Sequence, residues 1–231
     1  MRIWDINPGY LNDQSLLGEH RELQGIVSIL VNNKKGYARH TETLRWQGFG
    51  WALARRHALL RAEMQLRGFQ DRTPVEFDQS TGLWPGTFIN SPATQFDILA
   101  DKYKQKEHGR IPLPGNVQEL WAQHKYSILA RNQQIYTALG RLVAADISRA
   151  TFDRITMTIT HLLRVQPPDG MLHNSLQHMW GYVADYRTAG SQASDFKNAD
   201  ALLATIQDLA KNHNVTYLLR STALSELRAW M

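Results

Sequence analysis

The chain has 231 residues, of which 43% are hydrophobic and 20% charged, and its formal net charge is +5. That length can bury one large core or two small ones, and the composition excludes disordered and fibrous proteins. The absence of cysteine excludes disulfides, thiolate metal sites, iron–sulfur clusters and cysteine nucleophiles, and it is typical of a reducing compartment. No segment is apolar enough for a signal peptide or a membrane span, so we expect a cytoplasmic protein without a membrane partner.

The positive charge is concentrated in one part of the chain. Between Lys34 and Arg67 there are eight Lys or Arg residues against two acidic ones, whereas residues 111–231 carry 11 basic and 9 acidic residues. A local basic excess is typical of a protein that binds a polyanion such as a nucleic acid. It is also typical of an ordinary solvated face, so the charge alone leaves both interpretations open.

Two long helices are predicted in the first part of the chain. Apolar residues recur at helical spacing over residues 12–31 and again over residues 43–67. The segment between them, 32–40, is predicted to be a basic loop. Gly48 and Gly50 weaken the first turns of the second helix, so a break is expected there if the helix is not continuous.

The remainder of the chain also has helical patterning. Residues 70–93 are predicted to form a long loop and residues 94–106 a short helix, and the Pro- and Gly-rich segment 109–115 is the predicted module boundary. Further helices are predicted near 116–130, 132–145, 150–164, 172–187, 198–213 and 222–230, with breaks at 132, 166–170 and 189–194. Because no segment alternates like a strand, we predict an all-α protein in two modules, residues 1–110 and 111–231.

One face of the first helix carries two carboxylates among small residues. Ser15, Gly18, Glu19, Glu22 and Gly25 share that face because they follow helical spacing. Glycine inside a helix costs about 1 kcal/mol relative to alanine, so two glycines indicate a specific requirement. They either leave an open floor around Glu22, where another chain or a ligand can approach, or they allow close packing of a neighbouring helix.

Several short motifs of the N-terminal module occur together in one known family. They are Arg2-Ile3, Gln14, the segment GEHREL at 18–23, the element Gly36-Tyr37 with His40, and HALLRAEMQLRGF at 57–69. In this combination the segment resembles the bacteriophage endonuclease V family, the pyrimidine-dimer DNA glycosylases. The resemblance covers residues 1–69 well and residues 70–108 poorly, and it implies the endonuclease V fold for the first module.

The resemblance implies a DNA-repair glycosylase with abasic-site lyase activity, acting on double-stranded DNA with damaged or abasic sites and needing no cofactor. In that family the α-amine of the mature N-terminal residue is the nucleophile. By register this residue is Met1, and the glutamate of the REL signature is Glu22. Arg2 and Arg21 match arginines that hold the DNA backbone. The sequence departs from the phage pattern in two places, because Met1 stands where a threonine is expected and Gly25 where a further DNA-binding arginine is expected.

The second predicted helix carries arginines at regular intervals. Arg45, Arg56 and Arg67 are eleven residues apart, close to three full turns, so on a continuous helix they form one ridge. We predict that Arg45 and Arg56 contact DNA through this ridge; a solvated basic face is the alternative. His57 falls within the apolar stripe of the same helix and is predicted to be a packed core histidine.

The C-terminal module resembles a second family, the YbgA-like helical domains. The resemblance rests on residues 121–144, 176–183 and 216–224. Its polar residues His124, Lys125, Tyr126 and His178 are candidates for a second pocket that would accept a base or a phosphate. A buried, hydrogen-bonded seam between helices is the alternative.

Other chemistry has little support in the sequence. There is no HExxH motif, no Walker loop, no G-x-G-x-x-G motif and no serine-hydrolase elbow. We therefore predict neither a metal site nor a cofactor. Two alternative functions remain open, namely a non-catalytic nucleic-acid-binding protein and an enzyme on a modified nucleobase that is centred on the C-terminal module.

Overall fold

The structure, a computed structural model, describes residues 1–75, 82–187 and 198–231. These residues form helices, turns and loops without a strand, which confirms the all-α prediction. None of the described helices is both long and apolar enough to cross a membrane. Part of the predicted 70–93 loop and the predicted break at 189–194 lie outside the described residues. The chain divides into two compact units, residues 1–109 and 110–231.

The described part of the N-terminal unit contains four α-helices and an extended N-terminal segment. The helices are α1 (Asp13–Val31), α2 (Thr41–Trp46), α3 (Gly50–Leu66) and α4 (Pro92–Lys102). Asn12 caps α1 by accepting a hydrogen bond from the backbone amide of Ser15 at 2.9 Å. Helices α1 and α3 pack against each other. We call residues 1–11 the N-terminal arm; it is extended apart from a 3₁₀ turn at Pro8–Tyr10.

The predicted second helix is interrupted where its glycines indicated. Helix α2 ends at Trp46 and α3 begins at Gly50, and Gly48 between them has a φ of +83°. Side chains larger than hydrogen rarely adopt that backbone conformation, so glycine permits the sharp turn. Arg45 therefore lies on a different helix from Arg56, and the prediction of one continuous ridge is wrong.

The N-terminal arm is part of the core of its unit. Ile3, Trp4, Ile6, Tyr10 and Leu11 are all buried. The chain returns to the arm at Gly109, where an added Cβ would come within 2.5 Å of the Tyr10 carbonyl group. Glycine is required at that position because the two backbone segments pass so close to each other.

The C-terminal unit is built around one central helix. Its helices are α5 (Val117–Leu129), α6 (Gln133–Ala145), α7 (Arg149–Leu163), α8 (Asp169–Trp180), α9 (Ala199–Asn212), α10 (Thr216–Leu219) and α11 (Ala223–Glu226), with 3₁₀ turns at Ala184–Tyr186 and Leu227–Trp230. Helix α5 contacts α6, α7, α8 and α11. The predicted helices 172–187 and 222–230 are thus shorter α-helices followed by 3₁₀ turns.

A buried ion pair joins the central helix of this unit to its C-terminal end. Arg131 follows α5 and contacts Glu226 at 2.5 Å, and both side chains are about 1% exposed. The guanidinium also donates to the carbonyl groups of Ser127, Leu163 and Val165. These bonds satisfy backbone groups at the ends of two helices, where the helical pattern leaves carbonyls without partners.

His124 gives this unit a pH-dependent stability. Burial lowers the pKa of His124 from 6.5 to about 4, although the bond between its ring and the Leu120 carbonyl opposes the shift. The unfolded chain therefore binds a proton between these two pH values that the folded chain does not bind, and stability falls as the pH falls below about 6.5.

We predict that lowering the pH from 7 to 5 reduces the free energy of unfolding of the C-terminal unit by about 2 kcal/mol through this residue. Urea unfolding of the full chain at both pH values measures the change. In His124→Gln, which stays neutral, this part of the pH dependence should disappear. An identical pH dependence in the variant and the wild type would contradict the assignment.

Candidate active site

The N-terminal arm lies along the carboxylate face of α1. The backbone amide of Arg2 donates a hydrogen bond to the Glu22 carboxylate, and the amide of Trp4 donates to Glu19 at 3.1 Å. Arg2 and Trp4 are alternate residues of an extended segment, so their amides point to the same side. Glu19 and Glu22 are three residues apart on a helix and are therefore neighbours on its surface, so the two amides can reach the two carboxylates together. The arm thus runs antiparallel to α1. The chain that approaches this helix face is the protein's own N-terminus.

Glu22 is held close to the first residue of the chain. Its carboxylate accepts the hydrogen bond from the amide of residue 2. Backbone nitrogens of neighbouring residues are less than about 4 Å apart, so the Met1 amine lies within about 7 Å of that carboxylate. The structure therefore brings Met1 and Glu22 together, as the sequence resemblance implied.

The space on both sides of Glu22 along the helix is open. Gly18 and Gly25 lie one turn before and after it, and a Cβ added at either glycine would meet no other atom within 4 Å. Close packing of another helix does not explain these glycines, because no described residue is packed against them. They leave room around the Glu22 carboxylate that a ligand can use.

The two arginines assigned to DNA near this site differ in their environment. The Arg2 guanidinium donates to the side-chain carbonyl of Asn90 and lies over the Trp4 ring, 4.4 Å from its centroid. Arg21 is exposed on α1, where its Nε donates to the Leu17 carbonyl at 3.2 Å. Arg2 is half-buried and fixed, whereas Arg21 projects from the helix surface.

Glu19, the second carboxylate of the face, has a structural role. It is fully buried and accepts hydrogen bonds from Arg56 at 2.7 and 2.8 Å. Burial raises the pKa of the Glu19 carboxyl, and the charge and hydrogen bonds of Arg56 oppose that change. Helical spacing predicted Glu19 and Glu22 on one face of α1. In the structure Glu19 is buried in the core, whereas Glu22 lies at the open side of the same face.

Arg45 and Arg56 do not form an exposed DNA-binding surface, and this prediction is corrected. Arg45 is 8% and Arg56 is 3% exposed. Arg45 contacts Asp5 at 2.8 Å and Glu42 at 3.0 Å, and Arg56 is paired with Glu19. Guanidinium groups that are buried and paired in this way cannot reach a phosphate without breaking the core.

These arginines instead hold the N-terminal arm. Arg45 donates to the Ile3 carbonyl at 3.3 Å, Arg56 to the Ile6 carbonyl at 2.8 Å, and Arg67 to the Leu11 carbonyl at 2.7 Å. We call the three residues the arginine ladder. The arm has few helix or strand bonds of its own, so its buried carbonyl groups need donors from elsewhere. The eleven-residue spacing is real, but the guanidinium groups point inward.

Polar residues near α4 complete the support of the arm. Gln95 accepts from the amide of Asp5 at 2.8 Å and donates to the Asp5 carboxylate at 2.9 Å. Asn90, just before α4, binds the Arg2 side chain. Sequence analysis missed these residues because Asn90 and Gln95 are about 90 positions away from the arm and follow no local motif.

A second group of polar side chains lies between α1, α3 and the segment after α3. His20 and His57 are 7% and 6% exposed, and the Asp71 side chain contacts both rings. Burial lowers the pKa of His57. Burial opposes ionisation of Asp71, but the hydrogen bonds from Thr73, together with the electrostatic attraction of the two histidines, outweigh it and lower the pKa of the Asp71 carboxyl. His57 is buried as predicted, but no sequence pattern indicated that His20 and Asp71 would lie beside it.

The four residues of the predicted second pocket do not form one site. His124 is buried and bonded to the Leu120 carbonyl, while His178 is exposed on α8. Only Lys125 and Tyr126 form a described contact, with the ammonium 4.8 Å from the ring centroid. A groove of about 490 Å³ exists in the same unit. It is lined by Pro112, Glu119, Ala122, Gln123, Thr216, Tyr217 and Arg220, and thus by none of the four.

Two family models match separate parts of the chain. Residues 1–77 match the family model described as pyrimidine dimer DNA glycosylase. Residues 125–227 match a family described as a protein of unknown function (DUF1722). No curated protein and no solved structure matches the chain. The matches confirm both resemblances found in the sequence.

The arginine ladder predicts a large difference between two arginines of the same unit. Arg56→Met leaves the buried Glu19 carboxylate without its partner, so we expect a loss of about 3–5 kcal/mol in the free energy of unfolding. Arg21→Met removes an exposed arginine and should change stability by less than about 0.5 kcal/mol.

Urea unfolding of the two variants and the wild type measures both effects. The double variant Arg56→Met with Glu19→Met removes both charges and should recover much of the stability lost in Arg56→Met. If Arg56→Met is as stable as Arg21→Met, Arg56 does not carry the structural role described above.

Proposed function

We propose that the N-terminal unit is a DNA-repair glycosylase with abasic-site lyase activity, and that the Met1 α-amine is its nucleophile. In this proposal residues 1–110 form the catalytic module and residues 111–231 an accessory helical module. The observation that carries it is the hydrogen bond between the Arg2 amide and Glu22, which holds the carboxylate beside the first residue. The family match of residues 1–77 supports the glycosylase class.

An N-terminal amine suits this reaction better than a lysine. An α-amine has an ordinary pKa of about 7.7–8.0, so about 10–15% of it is neutral at pH 7, whereas less than about 0.1% of a lysine is neutral. Only the neutral amine is a nucleophile. The advantage over lysine is thus about two orders of magnitude before the site contributes anything.

In the proposed reaction the amine attacks C1′ of the damaged nucleotide. The glycosidic C1′–N bond breaks, its electron pair leaves with the base, and the attacking amine loses a proton. Opening of the sugar ring gives a Schiff base between residue 1 and C1′. Loss of a C2′ proton then expels the 3′ phosphate and cleaves the strand, and water releases the sugar fragment from the amine.

Glu22 is the group in this arrangement that can move the protons. Its carboxylate lies close to the amine and faces the open space between Gly18 and Gly25. We assign it proton transfer and electrostatic stabilisation of the positively charged, oxocarbenium-like sugar. Glu19 cannot replace it, because it is buried and bound to Arg56.

The proposed DNA contacts come from exposed cations around this face. Arg21 on α1 and three residues of the loop between α1 and α2, namely Lys34, Lys35 and Arg39, are exposed. Arg2 lies at the arm beside Glu22, and its partner Asn90 fixes the guanidinium in place. Arg45 and Arg56, which the sequence predicted to contact DNA, are paired with carboxylates inside the core and are not part of this surface.

The decisive experiment is borohydride trapping on a duplex that contains one abasic site. Tag-free protein should form a covalent adduct that mass spectrometry locates at residue 1, and intact mass should show that Met1 is retained. N-terminally acetylated protein should bind DNA without forming the adduct, because an amide is not nucleophilic. Glu22→Gln should reduce turnover by about 10²–10⁴-fold, whereas Asp101→Asn, at an exposed carboxylate of α4, should leave it unchanged.

An adduct on an internal lysine, or full activity of the acetylated protein, would refute the assignment of Met1. Tight DNA binding without an adduct in any form of the protein would favour the alternative of a non-catalytic nucleic-acid-binding protein. The third alternative, an enzyme centred on His124 and His178, has less support, because His124 is buried and bonded to the Leu120 carbonyl whereas His178 is exposed.

The open space beside Glu22 allows stability and activity to be separated. Gly25→Leu should raise the free energy of unfolding by about 0.5–1 kcal/mol, because leucine favours the helix and no neighbouring atom obstructs its Cβ. The same side chain would occupy the space proposed for the DNA strand, so we expect at least about a tenfold loss of trapping rate, which is about 1.4 kcal/mol.

Gly25→Ala is the matched control, since it should gain similar stability while keeping the activity. Unfolding in urea and single-turnover trapping measure the two quantities in parallel. Wild-type activity in Gly25→Leu would show that the substrate does not use this space.

A further inference from the structure

His20, His57 and Asp71 form a compact cluster of metal-binding atoms. Nε2 of His20 lies 3.1 Å from one Asp71 oxygen, and Nε2 of His57 lies 3.3 Å from the other. The two rings have their centroids 5.2 Å apart. One ligand atom from each residue can be chosen so that all three lie within 4.8 Å of one another. The three side chains come from α1, α3 and the segment after α3, so the fold and not the local sequence assembles them.

These distances suit a small tetrahedral cation. Ligands about 2.0–2.1 Å from a zinc ion lie about 3.3 Å from each other, close to the two nitrogen–oxygen distances observed. Two imidazoles and one carboxylate are also a donor set that zinc accepts, with water in the fourth position. The two nitrogen–oxygen distances end on different Asp71 oxygens, and a set with one atom from each residue lies within 4.8 Å. A movement of the side chains by about 1.5 Å or less therefore brings all three to bonding distance from one ion.

Hydrogen bonding alone does not account for the cluster. Nε2 of His57 is buried and has no hydrogen-bond partner among the described residues, because the Asp71 oxygen 3.3 Å away is not aligned for a hydrogen bond. Buried polar nitrogens are normally satisfied. A cation between the three residues would provide the bond that His57 lacks.

The surroundings of Asp71 resemble the outer shell of a metal site. The Thr73 amide and hydroxyl group each donate to an Asp71 oxygen at 3.0 Å. Gln24 in turn donates a hydrogen bond to the Thr73 hydroxyl group. Such bonds fix the orientation of ligating side chains, which is the function of second-sphere residues around metals.

We propose that His20, His57 and Asp71 bind one divalent transition-metal ion, with Zn²⁺ the ion that best suits the donor set. The ion would tie α1 and α3 to the segment that follows α3. Its role is structural, because His20 and Glu22 are two residues apart and project from opposite sides of α1. The proposal is therefore independent of the chemistry assigned to Met1 and Glu22.

The test uses the full-length protein, stripped with a chelator and titrated with Zn²⁺ by calorimetry. We expect one Zn²⁺ per chain, a rise in melting temperature on addition of Zn²⁺, and the visible absorption of a tetrahedral site when Co²⁺ is used instead. His20→Gln, His57→Gln and Asp71→Asn should each weaken Zn²⁺ binding at least about 100-fold. His178→Gln, the same change at an exposed histidine of the other unit, should bind like the wild type.

The three variants remove different ligands, so a folding defect in one of them leaves the other two informative. Circular dichroism of each stripped variant identifies those that are folded. A stripped wild type that binds no Zn²⁺ at micromolar concentrations would overturn the proposal, and so would folded variants with wild-type affinity. If Asp71→Asn lowers stability while the wild type binds no Zn²⁺, Asp71 is only a bridge between two histidines.

Discussion

The ion pair between Arg56 and Glu19 is the interaction on which the N-terminal unit depends. One guanidinium joins a carboxylate of α1 at 2.7 and 2.8 Å and a carbonyl of the N-terminal arm at 2.8 Å, so it connects two helices and the arm. The Glu19 carboxylate in turn accepts from the Trp4 amide. An extended segment without a sheet partner stays buried only if side chains satisfy its backbone groups, and this pair does so at the middle of the arm.

The same arrangement has a consequence for catalysis. A nucleophile at the end of a chain has the freedom of a terminus, and fixing reacting groups in place can contribute several kcal/mol to a rate. Here Arg45 and Arg56 hold carbonyls at residues 3 and 6, while Glu22 holds the amide of residue 2. The arm is therefore anchored up to the peptide bond between Met1 and Arg2, next to the α-amine. Arg45 and Arg56, which the sequence predicted to contact DNA, instead hold the arm that carries the amine of the proposed reaction.

The sequence predicts the positions of the helices better than the burial and pairing of the charged side chains. Helical periodicity located α1 within one residue of its observed bounds, and the glycine at position 48 indicated the break before α3. The family pattern placed Met1 beside Glu22. Counting charges in a window could not reveal that Arg45 and Arg56 are neutralised, because their partners Asp5 and Glu19 are about 40 positions away. His20, His57 and Asp71 were missed for the same reason, and His178 was grouped with His124 on composition alone.

Residues of helix α1 have different roles because they project in different directions around the helix axis. Glu19 and Glu22 lie about 60° apart around the helix axis and both face the arm, one inside the core and the other at its open edge. His20 lies about 100° from Glu19 and turns toward α3 and Asp71. Neighbouring residues of the motif GEHREL therefore contact different parts of the unit. The Glu19 position binds the core together, the His20 position belongs to the polar cluster, and only the Glu22 position is left next to the first residue, where chemistry on a substrate is possible.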